Sequence, residues 1–347
     1  EIGSGLVGSE MCIRDRYQQN HRKLRWRDTK NPYHVWISEI MLQQTRVEAV
    51  KAYYDRFMRE IPDIETLSKI PEDELLKLWE GLGYYNRARN LQKAAVCIME
   101  KHNGEFPACY EEVLKLPGIG EYTAGAICSI CFDLPTPAVD GNVLRVAARL
   151  TDNHDNIDDI KTKKRVRENL LPLYGEGDCG LLTQSLMELG AVICIPNGMP
   201  KCGSCPLQEM CVAYKRNSYG ELPVRRAKKK RRIEEKTVFI LHDGERYGIR
   251  KRDDSGLLAN MWEFYHTDEK LTAAEAVHFI SEKGFEPVLI EKEIPYTHIF
   301  SHVEWRMTAY YIVCRNKKSE LTWVEKKEFD DKYALPTAFK IFLERES

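Results

Sequence analysis

Apolar residues recur at helical spacing from Tyr33 as far as Gly190 and then give way to short β-type runs nearer the carboxyl end. The spacing predicts a helix that begins near Tyr33, because steps of three and four residues place apolar side chains on one face. Residues 60–115 predict short amphipathic helices with brief connections, and more helices are predicted as far as Gly190. The buried stripe of the helix near Tyr33 is expected to contain Ile40, Val47, Val50, Tyr54 and Phe57.

The pattern changes at Lys236, after a polar and basic stretch over 215–235 that has the composition of a linker. A helical segment near 272–283 lies among the β-type runs, so the carboxyl end predicts a small α+β domain over 236–347. The helical part is expected over 17–214. The clearest β-type runs are residues 237–241, 246–249 and 308–313.

Residues 1–16 do not continue the helical pattern. The chain does not start with Met, this stretch has no apolar core of a signal peptide, and Val7–Arg16 resembles translated sequencing-adapter sequence. We expect residues 1–16 to be a non-native or disordered leader, with the fold beginning at Tyr17.

The charge balance offers no overall basic signature, because the 347 residues carry a formal net charge of -1. Nucleic-acid contacts would have to come from local patches such as 225–232, RRAKKKRR, for which a solvated linker and a DNA-contacting arm both remain open. The length allows two or three domains. No apolar run approaches the length that spans a membrane. The seven cysteines outside 194–211 are best explained as reduced small hydrophobes, so a cytoplasmic protein is expected.

Eleven cysteines, an odd number that is unevenly distributed, argue against a disulfide framework. Cys128 and Cys131 lie in an apolar helix and are expected to be core residues. Four others cluster in 194–211, where four thiolates can hold either tetrahedral zinc or an iron–sulfur cluster. The spacing leaves that choice open for Cys194, Cys202, Cys205 and Cys211.

The stretch from Leu116 to Arg145 combines a glycine hairpin with a carboxylate one helix later. Gly118 and Gly120 tolerate positive φ and leave backbone N–H groups uncovered, which suits an anion such as a DNA phosphate at a helix N-terminus. A tight turn between two helices is the alternative. After the following apolar helix, Asp140 comes just beyond a proline-rich turn. Together these features suggest chemistry on a nucleotide that is held by its backbone.

A second candidate carboxylate, Glu39, is flanked by Trp36, Ile37 and Ile40. Burial among these side chains would penalise the ionised form, raise the pKa and favour a general acid. An exposed glutamate in the first turn of the helix remains the alternative. Around Gly81–Arg89, aromatics and arginines lie next to glycines, which predicts either a second DNA-contacting turn or a packing corner.

Taken together, these segments closely resemble the adenine DNA glycosylases of the MutY type. The resemblance covers nearly everything from Tyr17 onward and depends on the order and spacing of several motifs. They are Trp36–Thr45 (WISEIMLQQT), Gly81–Tyr85 (GLGYY), Leu116–Ala124 (LPGIGEYTA), Val139–Asn142 (VDGN) and the four-cysteine loop.

The resemblance implies a mainly α helix-hairpin-helix glycosylase core, with a six-helix barrel lobe and a second lobe that bears a [4Fe–4S] cluster on the four cysteines. It also implies a C-terminal Nudix-like 8-oxoguanine recognition domain, which Gly256–Phe264 resembles, without the acidic box of a Nudix hydrolase. The implied substrate is duplex DNA with adenine opposite 8-oxoguanine or guanine, bound by a monomer in base excision repair. The implied location is the cytoplasm, in association with a nucleoid of bacterial type.

Catalytic roles follow from the same resemblance. Glu39 would protonate adenine at N7, and Asp140 would stabilise the cationic sugar or form a transient bond with it. Asn142 would orient the purine or Asp140, and Tyr122 would support the carboxylates. Relatives that also cleave the strand carry a lysine at position 122 for Schiff-base formation, so a monofunctional glycosylase is expected.

DNA and lesion contacts are implied for a further set of residues. Leu42, Gln44 and Tyr84 would enter the duplex on the 8-oxoguanine side, and Ser301 would bond the altered edge of that base. The full set is Trp26, Arg27, Leu42, Gln44, Tyr84, Gly118, Gly120, Phe300, Ser301 and His302.

Two departures from the family pattern and two rival functions remain. Seven residues separate Cys194 from Cys202 where six are more usual, and Arg25 occupies a position that is usually proline. The rival functions are a glycosylase for mismatched thymine or oxidised pyrimidine and a non-catalytic iron–sulfur DNA-binding protein.

Overall fold

The computed structural model describes residues 10–175, 177–227 and 229–344. The chain divides into two compact units, the first within Glu1–Lys69 and Arg89–Ala227 and the second within Ile70–Ala88 and Lys228–Ser347. Among the described residues, no helix combines the length and the apolar character needed to cross a membrane.

The chain up to Arg216 is helical, as its apolar spacing predicts. Of its helices, α5 lies in the second unit and α6 begins there. In chain order they are α1 Glu10–Asn20, α2 Pro32–Leu42, α3 Val47–Glu60, α4 Ile64–Lys69, α5 Glu72–Leu78, α6 Asn86–Lys101, α7 Tyr110–Leu114, α8 Glu121–Phe132, α9 Gly141–Thr151, α10 Ile160–Leu170, α11 Cys179–Val192 and α12 Val212–Arg216.

Helix α2 begins where the sequence supplies a cap. Asn31 accepts the backbone N–H of Tyr33 on its side chain, and Pro32 occupies the first helical position, where its missing N–H costs nothing. Its residues from Val35 to Met41 are all buried, which marks α2 as a central helix of the first unit.

The single helix predicted from Tyr33 is wrong, because two helices are separated by a turn over 43–46. Gln44 in this turn has a φ of 58°, in the left-handed region that a continuing helix cannot contain. Residues of the predicted stripe are nevertheless buried on both helices, except Val47, which is half-buried.

The expected disorder of residues 1–16 is wrong for residues 10–16, and residues 1–9 lie outside the described part. Residues 10–16 belong to α1, where Ile13 is only 2% exposed and packs in one core with Val143 and Leu186. Burial of an apolar side chain opposes disorder, since it returns free energy that offsets lost chain entropy. That this segment is non-native remains a prediction.

The second unit contains a six-stranded mixed sheet, in which β1 and β5 are parallel and the other neighbours are antiparallel. The strand order is β4-β5-β1-β3-β2-β6. Its elements are β1 Arg232–His242, β2 Arg246–Lys251, β3 Trp262–Thr267, α13 Ala273–Glu282, β4 Pro287–Ile299, β5 Val303–Cys314, β6 Thr322–Glu325, α14 Glu328–Asp331 and α15 Thr337–Glu344.

Both faces of this sheet are covered. Trp305 and Tyr311 pack with Phe339 of α15 on one face, and Phe239 packs with Ile280 of α13 on the other. The predicted α+β class is correct, although three of the six strands went unpredicted and β1 begins four residues before Lys236. The exposed β4 lacks clear alternation, which explains why its pattern gave no signal.

Residues 70–88 join the second unit through polar contacts, although the predicted core over 17–214 includes them. Lys77 donates to the carbonyl oxygen of Phe329 at 2.5 Å, and Lys251 pairs with Asp73 at 2.7 Å. Charge-assisted bonds of this kind leave no periodic signal in a sequence. The grouping therefore depends on tertiary structure.

Candidate active site

The first unit contains a cavity of about 700 Å³, within the usual range for sites that enclose a small molecule. The 3₁₀ turn Arg25–Arg27, helices α2, α8 and α11 and the N-terminus of α9 contribute its lining. The four predicted catalytic residues all line it, together with the predicted DNA-binding residues of this region. These residues are Glu39, Tyr122, Asp140, Asn142, Trp26, Arg27, Leu42 and Gln44.

Glu39 is the buried carboxyl group of this cavity, with 7% of its surface exposed. Burial raises the pKa of Glu39 to about 7, and the nearby Asp140 charge adds to that increase. A hydrogen bond donated by the Tyr122 hydroxyl to Oε2 and the charge of Arg27 act in the opposite direction. The exposed alternative is therefore excluded, and a group with this pKa can exchange a proton near neutral pH.

Asp140 is the N-cap of α9. Its Oδ1 accepts the backbone N–H of Val143 at 2.7 Å, and its Oδ2 accepts the side-chain amide of Asn142 at 2.6 Å. Burial raises the pKa of Asp140, while these two bonds and the charge of Arg145 favour the ionised form. The capping bonds fix the carboxylate in the same cavity as Glu39.

Arg145 is a buried residue that sequence reasoning missed. Its Nη2 donates to Asn142 Oδ1 at 2.8 Å and to the carbonyl oxygen of Gly190 at 2.7 Å, and its Nε donates to the carbonyl oxygen of Cys194 at 2.7 Å. Because the guanidinium holds the amide oxygen of Asn142, the amide nitrogen faces Asp140. The three-residue step from Asn142 to Arg145 was the available signal, but the carbonyl partners could not be inferred.

Trp26 and Arg27 both line the cavity, and different contacts hold each of them in place. Trp26 is buried with its ring edge-on to Tyr54, at 5.2 Å between centroids. Arg27 forms an ion pair at 2.8 Å with Glu188, a buried residue on α11 that the sequence analysis also missed. The signal that the sequence offered for Glu188 was a single glutamate within an otherwise apolar helix.

The cysteine loop forms a second, small cavity of about 30 Å³ in the first unit, lined by Cys194, Cys202, Cys205 and Cys211. Arg149 lines it as well and donates from Nη1 to the Sγ of Cys194 at 3.4 Å. Within the described ranges, no three His, Cys, Asp or Glu side chains are spaced as ligands of one metal ion. The four sulfurs nevertheless border a shared space, and an arginine donor beside a sulfur suits a thiolate.

In the second unit, two predicted lesion-reading segments meet. The Tyr84 hydroxyl and Ser301 Oγ are hydrogen-bonded at 2.6 Å, although 217 positions separate them. Ser301 lies in the turn between β4 and β5, where His302 is also exposed and Phe300 packs against Trp305 at 4.8 Å. The exposed Tyr84 ring and Ser301 therefore present polar and aromatic groups side by side.

Comparison with known proteins assigns the chain to a family. Residues 37–172 match the HhH-GPD superfamily of base excision DNA repair proteins, and residues 237–345 match the NUDIX domain. An adenine DNA glycosylase of Buchnera aphidicola subsp. Schizaphis graminum is 33% identical over 94% of this chain and 95% of its own. The adenine DNA glycosylase of Buchnera aphidicola subsp. Baizongia pistaciae is 40% identical over 70% of this chain and 69% of its own length.

The chain belongs to the adenine DNA glycosylase family. The predicted family and fold class are confirmed. A solved thermostable thymine-DNA glycosylase is similar with a TM-score of 0.56 and 29% identity, over 61% of this chain and 98% of that one. The structure of endonuclease III in a non-covalent DNA complex is similar with a TM-score of 0.53 and 26% identity, over 62% of this chain and 97% of that one.

The glycine hairpin of this glycosylase occupies the turn before α8. Gly118 has a φ of 75°, and Gly120 is the N-cap of α8, where no side chain caps the helix. No side chain occupies the backbone N–H groups at this helix start, and an anion site there remains a prediction.

Gly118→Ala is expected to destabilise the first unit by about 1–3 kcal/mol. The new Cβ would lie 2.5 Å from the Cβ of Asn90, and the left-handed φ adds strain. Thermal unfolding monitored by circular dichroism measures the loss, with Gly203→Ala as the control because nothing lies within 4 Å of its Cβ position. Equal melting temperatures for the two variants would contradict the expectation.

Proposed function

We propose that this protein hydrolyses the N-glycosidic bond of adenine opposite 8-oxoguanine or guanine in duplex DNA and leaves the strand intact. The observation that carries the proposal is the pairing of two different carboxyl groups in one cavity. Glu39 is buried with a pKa of about 7, and Asp140 is fixed at a helix N-terminus. The names of the relatives support adenine as the base.

The first step would be proton transfer from Glu39 to N7 of an adenine that has been flipped out of the duplex. Tyr122 occupies Oε2 of Glu39 by hydrogen bonding, so Oε1 is the oxygen left to face the base. Protonated adenine is a better leaving group because its departing electrons neutralise the positive ring. The bond between C1′ and N9 then breaks, and neutral adenine departs.

The second step would place the sugar cation beside Asp140. A carboxylate stabilises such a cation by charge, as in enzymes that hydrolyse glycosides. Val143 and Asn142 hold both oxygens of Asp140 in place before the reaction, so little reorganisation is required. Water adds its oxygen to C1′ and releases a proton, which leaves an abasic site.

Strand cleavage is not expected, because residue 122 is a tyrosine rather than an amine nucleophile. Burial raises the pKa of Tyr122 well above its usual range, so this hydroxyl donates a hydrogen bond and stays protonated. Its position on Glu39 supports the general acid.

A [4Fe–4S] cluster is the cofactor that we assign to Cys194, Cys202, Cys205 and Cys211. Four cysteines bordering one small cavity, with an arginine donating to Cys194 Sγ, are a suitable donor set for thiolate-bound iron. When bound, such a cluster supplies a redox-capable cross-link between its ligands. Arg145 binds the backbone of this loop at Cys194 and the side chain of Asn142.

DNA contacts would come from both units. Gly118 and Gly120 would bind a backbone phosphate, Leu42 and Gln44 would enter the duplex, and the side chains around Ser301 would read 8-oxoguanine. The left-handed backbone of Gln44 supports this role, because strained residues are often retained at sites of binding.

Ser301→Ala is expected to lower the preference for A:8-oxoguanine over A:G about threefold to tenfold, the value of one neutral hydrogen bond. Tyr84 would keep its ring but lose its hydroxyl partner. Single-turnover rates at subsaturating enzyme on both duplexes measure the preference. Ser281→Ala on α13, where the hydroxyl donates to the carbonyl oxygen of Val277, is the control. An equal change in both variants would contradict the assignment.

The proposed reaction is tested by single-turnover assays on an A:8-oxoguanine duplex, analysed with and without alkali. Strand breaks that require alkali are the expected result, because an abasic site breaks only after treatment. T:G and thymine-glycol duplexes serve as controls for the rival substrates. Faster release of thymine than of adenine, or breaks without alkali, would overturn the proposal.

A further inference from the structure

Glu188 is a fully buried carboxylate whose bonds come from two arginines of the cavity. Its side chain is 0% exposed in the apolar helix α11. The backbone N–H of Arg22 reaches Oε1 at 2.9 Å, and the guanidinium of Arg22 reaches Oε2 through Nη2 at 2.6 Å. Nη2 of Arg27 donates to the same Oε2 at 2.8 Å.

Glu188 is ionised in this environment. Although burial works to raise the pKa of Glu188, the hydrogen bonds from Arg22 and Arg27 hold it at about 2. An unpaired charge at this depth would be very unfavourable, so the carboxylate and the two guanidinium groups form one unit with a net charge of about +1. Both arginines line the cavity that contains Glu39.

Arg27 is held on several sides. Besides Glu188, its Nη1 donates to the carbonyl oxygen of Arg22 at 3.2 Å, and its guanidinium lies over the Tyr17 ring at 5.4 Å from the centroid. Its side chain is 11% exposed. This arrangement matters because the positive charge of Arg27 acts on Glu39, favouring loss of the proton from that carboxyl group.

We propose that Glu188 is a positioning residue for adenine release, acting through Arg27: it holds the Arg27 guanidinium in the cavity wall and keeps it from pairing with Glu39. The role rests on the proposed function of Glu39 as a proton donor. Without Glu188, the Arg27 guanidinium would be released to turn toward another carboxyl group of the same cavity, and Glu39 is the one on which its charge already acts. A glutamate paired with arginine gives up its proton to solvent and no longer serves as the acid.

Other charged and titratable groups also face Glu39. Tyr122 and Cys131 face it from α8, and Asp140 faces it from the start of α9. Within the described part of the chain, none of these three residues forms a hydrogen bond or an ion pair with Glu188. Of the two arginines that bind Glu188, Arg27 is the one whose charge lowers the pKa of Glu39, so a change at Glu188 should reach Glu39 through Arg27.

The test is the pH profile of single-turnover adenine release by Glu188→Gln on an A:8-oxoguanine duplex at saturating enzyme. Release declines as pH rises and Glu39 loses its proton. The midpoint of that decline is expected to shift to lower pH by about one unit, as for a carboxyl group that gains an arginine partner. On the alkaline side the rate then falls about tenfold. In an Arg27→Gln background, Glu188→Gln should leave the midpoint unchanged.

Glu263→Gln is the matched control. Glu263 is likewise a buried carboxylate bound by two arginines, Arg250 at 2.9 Å and Arg252, but it lies in the second unit. Both variants should melt at lower temperature than the wild type, and only Glu188→Gln should move the midpoint. If Glu188→Gln fails to fold, Glu188→Asp takes its place. Aspartate keeps the charge, but its shorter side chain cannot reach both arginines, so the midpoint is expected to shift in the same direction by a smaller amount.

A midpoint for the Glu188 variants that coincides with that of the wild type would overturn the positioning role while leaving the proposed function intact. A shift that persists in the Arg27→Gln background would also overturn it. A wild-type protein that releases no adenine would instead refute the proposed function itself.

Discussion

Glu39→Gln is expected to lower the single-turnover rate of adenine release by a factor of about 10²–10⁴, the contribution of a positioned general acid. Glutamine fits the same buried space and accepts the Tyr122 hydrogen bond, but it has no proton of suitable acidity to transfer. DNA affinity should change little, so gel-shift binding of an A:8-oxoguanine duplex separates the loss of chemistry from a loss of binding.

The wild-type rate should fall as pH rises through about 7, because burial raises the pKa of Glu39 to that value and only the protonated form donates. This decline should be absent from whatever activity remains in Glu39→Gln. Glu48→Gln is the control, since Glu48 is an exposed carboxylate in the first turn of α3. A Glu39→Gln protein with wild-type rate would refute the assignment of the acid.

Glu39 also links stability to pH in the opposite sense to a salt-bridged carboxylate. Its folded pKa of about 7 exceeds the ordinary value of 4.5, so its favourable contribution is complete below 4.5 and is lost as pH rises through about 7. Glu39→Gln should therefore melt at a higher temperature than the wild type at pH 8. The same residue that supports catalysis thus reduces stability in alkaline solution.

Asp140→Asn is expected to lower the release rate by a factor of about 10²–10³, the usual cost of losing one preorganised electrostatic group at a transition state. The sugar cation would no longer have a negative charge beside it. Asparagine still offers an oxygen to the backbone N–H of Val143, so α9 should keep its cap. Single-turnover rates and melting temperature together measure the two effects.

Asp140→Ala separates the two roles of this residue. Alanine removes both the charge and the cap, so it should match Asp140→Asn in activity while costing about 1 kcal/mol more in stability. Asp159→Asn is the control, because Asp159 precedes α10 without capping it through its side chain. An Asp140→Asn variant that loses stability but retains its rate would reduce Asp140 to a structural role.

Much of this site could be predicted from the sequence because its elements are local. Apolar spacing specifies α2 and α8, and a glycine pair followed by a helix specifies the hairpin at Gly118 and Gly120. The apolar neighbours of Glu39 suggested its burial, although the sequence left an exposed glutamate open as the alternative. Each of these signals lies within one helix or one turn, where side-chain chemistry and backbone preference act over a few residues.

Contacts between distant segments could not be predicted in the same way. The bond between Tyr84 and Ser301 spans 217 positions, and the pair between Arg27 and Glu188 spans 161. Neither residue type nor periodicity specifies which arginine reaches which glutamate. The turn at Gln44, which divides the expected helix, also depends on its surroundings, since glutamine has no intrinsic preference for left-handed backbone.

The sequence by itself determined a helical part followed by an α+β part, the two candidate carboxyl groups and the cysteine loop, because each follows from residue types at short spacing. Only the tertiary structure decided the electrostatics of the cavity. The proton affinity of Glu39 depends on its removal from water, on the hydrogen bond from Tyr122 and on the charges of Asp140 and Arg27, which come from other parts of the chain. Desolvation and charge act through space, and folding alone brings those groups together.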